Sequence, residues 1–170
     1  MSRYVVFSHG KESGPWGTKI VALAEIARAL GWHVESINYQ GMDDAADRVA
    51  KLKAAAHLVG PRPVLVGSSM GGHVATAASI DLQAQGLFLM APAFFMPGYE
   101  ALTPRPHTCP IEIAHGWDDE IVPVENSIRW ARQQRATLHL LNTDHRMQDC
   151  LVELCGLFRE FLMARGAAEV

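Results

Sequence analysis

The run Gly67-Ser68-Ser69-Met70-Gly71 carries the clearest chemical content in this sequence. It fits G-x-S-x-G, a pattern with a mechanical meaning when it joins a buried strand to a helix. Upstream lies Pro63-Val64-Leu65-Val66-Gly67, continuously apolar as a strand covered on both faces should be. Downstream, residues 69–80 carry helical spacing. A sharp turn there would hold the middle serine in a strained backbone conformation, and the flanking glycines would let chains pass where side chains do not fit. Ser69 would then stand at the turn's tip above a helix N-terminus. The positive dipole end and the free N–H of Met70 favour the negative oxygen that forms when a carbonyl is attacked. A plain turn with Ser69 as a helix cap is the competing reading.

A serine hydroxyl needs a base at neutral pH, and the base needs an acid to orient it. The stretch His115-Gly116-Trp117-Asp118-Asp119-Glu120-Ile121-Val122-Pro123 offers the acid, and Asn142-Thr143-Asp144-His145-Arg146 offers the base, His145. Serine, acid and histidine in that chain order, each just past a different strand, predict a serine hydrolase built on a parallel sheet.

The elements that would position these groups alternate. Short apolar runs mark strands at residues 4–7, 33–38, 63–67, 86–91, 111–115 and 137–141. Helical periods fill residues 15–31, 43–59, 69–80, 125–134 and 148–163. Pro15 suits a first helical turn, Gly31 a helix end, and Gly60-Pro61 a stop. Strand and helix in alternation imply parallel strands with right-handed crossovers, hence an α/β three-layer sandwich in a single domain over residues 1–170. Residues 93–110 alone show neither period, and loops of that length are usually functional.

With those residues in view, the chain resembles a small, nearly lidless bacterial member of the α/β-hydrolase superfamily over almost its whole length. The resemblance implies six mostly parallel strands in the order 2-1-3-4-5-6, without the first two antiparallel strands of the larger fold and with the cap reduced to residues 93–110. In the pattern H-G-x-x-D-x-x-V-P the family's acid falls on Asp119, with Asp118 as its neighbouring rival. The nucleophile falls on Ser69 and the base on His145. The His9-Gly10 pair resembles the loop whose next N–H, that of Lys11, joins Met70 in an oxyanion hole. The expected activity is hydrolysis of carboxylic esters of small acyl substrates. An acyl-CoA or other thioesterase is the runner-up, and a non-catalytic binding module on the same fold is the alternative outside enzymology.

Phe94, Phe95, Met96, Trp117 and Met147 could line an acyl pocket or simply cover the edge of the core. Lys11, Lys19, Arg105 and Arg146 could meet a phosphorylated carrier or only solvent. His9 and His115, each before a glycine at a strand end, read as satisfied structural histidines, and His73 as a packing residue. His33, His57, His107 and His139 have no motif around them.

No metal is expected, since neither H-x-x-x-H nor C-x-x-C occurs. No cofactor is expected either: Gly17-Thr18-Lys19 fails the phosphate-loop pattern and Gly67 to Gly72 lacks G-x-G-x-x-G. Cys109, Cys150 and Cys155 read as reduced thiols. Of 170 residues, 49% are hydrophobic and 19% charged, with a net charge of −3. These values argue against disorder and against nucleic acid or an acidic membrane surface as partner. No apolar run reaches the roughly 18 residues of a membrane span. Residues 3–7 enter a strand-like run where a secretory leader would carry a charged start and an apolar middle, so a cytoplasmic setting is expected.

Overall fold

The computed structural model describes residues 2–167. Six strands form one sheet: β1 (Tyr4–Ser8), β2 (His33–Ile37), β3 (Val64–Ser68), β4 (Gly86–Met90), β5 (Ile111–Gly116) and β6 (Thr137–Leu141). Their spatial order is β2-β1-β3-β4-β5-β6, and all five pairings are parallel. Among the described residues four helices lie in crossovers, α1 (Thr18–Ala29), α2 (Ala45–Val59), α3 (Met70–Ala78) and α4 (Val124–Gln134); β4 and β5 are joined by a loop without an α-helix, and a fifth helix, α5 (Leu151–Ala167), follows β6. The three layers are those expected from the alternating pattern, and the strand order is the one the resemblance implies.

Side-chain alternation along the strands explains the layering. Val5 and Phe7 of β1, Val64 and Val66 of β3, and Phe88 and Met90 of β4 face one side, where they pack with α1 and with Leu154, Phe158, Phe161 and Leu162 of α5. Val6, Leu65, Leu87 and Leu89 face the other, against Leu52 and Ala56 of α2, Val74, Ala75 and Ala78 of α3, and Trp130 and Ala131 of α4. Burial on both faces is why β3 and β4 read as unbroken apolar runs.

Several boundaries differ from expectation by a residue or two, the starts of α1 and α5 by three and the end of α5 by four. Helix α1 begins at Thr18 rather than at Pro15, whose carbonyl accepts the Ser36 hydroxyl beside β2. Helix α5 begins at Leu151 rather than at 148: Asp149 is tied to the Thr143 hydroxyl in the preceding loop, and the Cys150 carbonyl is the one that accepts the Leu154 N–H, at 3.0 Å. The 93–110 loop contains one short 3₁₀ turn, Glu100–Leu102. Helix α2 begins at Ala45 rather than at 43, capped by Asp44, which accepts the Asp47 N–H at 3.0 Å; Gly31 closes α1 with φ +80°, as expected of it.

Candidate active site

The turn from β3 into α3 holds Ser69 at φ +54° and ψ −122°, a conformation costly for any residue with a side chain. The glycines around it are enforced by sterics. A Cβ on Gly71 would lie 2.0 Å from the Ser8 carbonyl oxygen, and one on Gly67 2.5 Å from the Gly71 oxygen. The turn is thus pressed against the end of β1. The Ser69 carbonyl accepts from Gly72 and Ala93 at 2.9 and 3.0 Å, while its N–H donates to Met90 at 2.9 Å, tying the turn to α3 and the end of β4.

His145 reaches Ser69 from the loop after β6. Its Nε2 lies 3.2 Å from the Ser69 Oγ, and its Nδ1 2.7 Å from the Asp119 Oδ2. A nitrogen facing a carboxylate must carry the proton, which leaves Nε2 free to accept from the hydroxyl. The loop is shaped by Asp144, whose Oδ1 accepts the N–H groups of Arg146 and Met147 at 2.9 and 3.2 Å. It is Asp119, not Asp118, that meets the imidazole; Asp118 is exposed to solvent.

The Asp119 carboxylate is fully enclosed and accepts four hydrogen bonds. Oδ1 takes the N–H groups of Ile121 and Val122, both at 2.8 Å. Oδ2 takes His145 and, at 3.0 Å, the Nε2 of His115. That Nε2 also lies 3.0 Å from the Val122 carbonyl, so it is a shared donor, and Nδ1 is left to accept the Ser127 hydroxyl at 2.7 Å. Burial holds the His115 ring below the usual histidine range, against the pull of the Val122 carbonyl and Asp119, so it stays neutral. The sequence reading treats His115 as structural; its placement on the same carboxylate oxygen as His145 is visible only in three dimensions.

Burial alone would push the Asp119 carboxyl up, but the bonds from His145, Val122 and Ile121 outweigh it and hold the group below the ordinary carboxylate range. A carboxyl depressed by folding contributes stability above its unfolded value, and that contribution is lost as pH falls through the folded one. The expected result is that the stability gap between the wild type and Asp119→Ala narrows below about pH 4, the ordinary aspartate range. Melting temperatures across an acid pH series measure it.

The β1–α1 loop covers the turn from the other side. A Cβ on Gly10 would lie 3.4 Å from the Ser69 Cβ. Among the described residues no backbone carbonyl accepts the N–H of Lys11 or Met70, and the latter opens α3, where such groups lack intrahelical partners. The Lys11 side chain itself is exposed.

The five apolar candidates separate. Phe94 and Met147 are wholly buried and correct the pocket expectation: Phe94 stacks on Trp130 at 4.4 Å, and Met147 packs beneath with Cys150 and Leu154. Phe95 and Met96 are half-buried. Phe95 lies 4.0 Å beneath the Arg129 guanidinium and borders a groove of about 460 Å³ with Glu100, Thr103, Pro104 and Arg105. Trp117, 54% exposed, stands on the loop that carries Asp119. His9 is buried as expected, and so is Arg48, which the sequence does not single out. The three cysteines are free thiols.

A model of the alpha/beta hydrolase family matches residues 5–167. The chain belongs to that family. Among solved structures, this alpha/beta hydrolase is 33% identical to a Xanthomonas campestris pv. campestris protein assigned to the alpha/beta hydrolase superfamily, over 96% of this chain and 99% of that one, with a TM-score of 0.88. Est1E from Butyrivibrio proteoclasticus superposes with a TM-score of 0.85 at 18% identity, over 98% and 89% of the two chains. A lidless α/β serine hydrolase from Xanthomonas campestris gives 0.77 at 22% identity, over 92% and 79%. No curated protein matches the sequence. Among the described residues no helix is long and apolar enough to cross a membrane.

Proposed function

We propose that this alpha/beta hydrolase cleaves carboxylic esters of small acyl substrates through a serine acyl-enzyme. The observation that carries the reading is the continuous hydrogen-bonded chain from the Ser69 Oγ through His145 to Asp119, at 3.2 and 2.7 Å. Ser69 attacks the ester carbonyl carbon while its proton passes to the His145 Nε2. The tetrahedral oxyanion lies against the N–H groups of Met70 and Lys11. Collapse expels the alcohol, protonated by His145, and leaves the acyl group on Ser69. Water then repeats the sequence with His145 as base and frees the acid. Asp119 keeps the imidazole in the tautomer that accepts from Ser69 and steadies the imidazolium.

The short 93–110 segment favours small substrates reached from solvent, with Trp117, exposed on the loop that carries Asp119, as an apolar group for them to meet. The free thiols are in keeping with work in a reducing, cytoplasmic setting. The test is a panel of p-nitrophenyl esters of rising acyl length beside acyl-CoA thioesters, with fluorophosphonate labelling as the control. Turnover is expected to be highest on the short esters. Preference for the acyl-CoAs would make the enzyme a thioesterase, and folded protein that neither turns over nor labels would make it a binding module.

A further inference from the structure

Arg48 is 1% exposed, yet among the described residues no carboxylate pairs with it. A buried guanidinium without a counter-ion is costly unless its N–H groups find acceptors. Here the acceptors are backbone carbonyls. Nε donates to Met42 at 2.8 Å, and Nη1 donates to both His9 and Gly10 at 3.3 Å. The guanidinium also lies 5.2 Å from the Tyr39 ring.

The Gly10 carbonyl is held by other groups too. The His9 Nε2 accepts the Tyr39 N–H at 2.8 Å, so the proton of that imidazole sits on Nδ1, which donates to the Gly10 oxygen at 2.7 Å. The Ser13 hydroxyl adds a long contact at 3.4 Å. Gly10 O and the Lys11 N–H belong to one peptide unit. In a planar trans peptide they point in opposite directions, and among the described residues no peptide bond is cis. Fixing the oxygen toward Arg48 and His9 therefore fixes the direction of the Lys11 N–H. The same loop lies against Ser69 through Gly10.

We infer that Arg48 is a positioning residue for the oxyanion site, orienting the Gly10–Lys11 peptide from behind so that its N–H is aimed before substrate arrives. The inference rests on the acyl-enzyme reading above for its catalytic meaning. Two effects follow from one contact. Preorganisation removes the cost of reorienting a donor during reaction. The buried positive charge on the carbonyl end also polarises the amide and strengthens its N–H as a donor. Lysine reproduces the charge but not the fork that spans several carbonyls.

The experiment compares the wild type with Arg48→Gln and Arg48→Lys. If the donor is lost, kcat for a short p-nitrophenyl ester should fall about 10²-fold in Arg48→Gln, the scale of one oxyanion donor, with KM little changed. The affinity for a trifluoromethyl ketone, which forms a tetrahedral oxyanion on the serine, should weaken by the same factor, and Arg48→Lys should recover part of both. Loss of melting temperature with unchanged kcat and ketone affinity per folded molecule would make Arg48 a purely structural residue and overturn the inference. If Arg48→Gln does not fold, Arg48→Lys alone decides through the same kcat and ketone comparison. The Lys11 amide resonance gives a readout independent of turnover: it should shift in the variants while amides of α5 stay in place. A wild type inert to ester and ketone would sink the hydrolase reading, and with it the catalytic role, whereas an unmoved Lys11 resonance would sink the contact itself.

Discussion

Replacing Ser69 by alanine is expected to reduce ester turnover by about 10⁴- to 10⁶-fold, the range seen when a nucleophile is removed from such a relay. The hydroxyl is the only atom group lost, so the chemistry should disappear without the fold. An alanine there inherits the same left-handed backbone, the glycine contacts around it are unchanged, and the Oγ bond to His145 is a single, partly buried interaction. Stability should therefore stay within about 0.5 kcal/mol of the wild type. Initial rates on p-nitrophenyl acetate, fluorophosphonate labelling and a thermal melt check the three parts. Retention of more than a tenth of the rate in the alanine variant would remove Ser69 from the mechanism, and Ser68, one residue earlier, would then need testing.

Asp119→Asn should be the second largest effect, and unlike the first it should harm both activity and stability. The carboxylate accepts from four N–H groups, two on each oxygen. An amide offers one oxygen and one NH₂, so two of the four donors must face another donor whichever way the amide turns. If the NH₂ faces the histidines, His145 escapes the clash only by moving its proton to Nε2, which can no longer accept from Ser69. A loss of about 10⁴-fold in kcat follows. If the NH₂ faces Ile121 and Val122 instead, the tight loop after β5 loses its anchors. Either way a buried donor is stranded, at a cost of about 1–3 kcal/mol. Kinetics together with chemical denaturation measure both. Full activity in this variant would mean that His145 needs no acid to orient it.

The fold was legible because its strongest signals are redundant. Residues 63–67 are apolar without a break, which demands cover on both faces, and Gly67-Ser69-Gly71 then dictates the kind of turn that follows. Helix starts were less legible. Pro15 satisfies the rules for a first helical turn, but its carbonyl is taken by Ser36 from β2, a contact no local pattern announces. Similarly, nothing local to Asp149 announces that the Thr143 hydroxyl holds it in the loop before α5. Within the site, Ser69 and His145 stood out through motif and order, and Asp119 through register with Val122 and Pro123. Arg48 did not, because a basic residue in a helix with mixed polarity reads as solvated; only the closeness of α2 to the end of β1 buries it. His115 was visible as a residue but not as a partner, since its contact with Asp119 depends on the path of the loop between them.

The two ends of the proposed proton relay are unequally moored. The serine turn grows from β3, deep in the middle of the sheet and wedged against β1, whereas the imidazole hangs from a loop after β6, the outermost strand on that side, whose residues are all at least partly open to water. Warming frays a molecule from its margins before its centre. On heating, the loop that carries His145 is accordingly expected to loosen before the turn that carries Ser69, and activity lost that way should return on cooling.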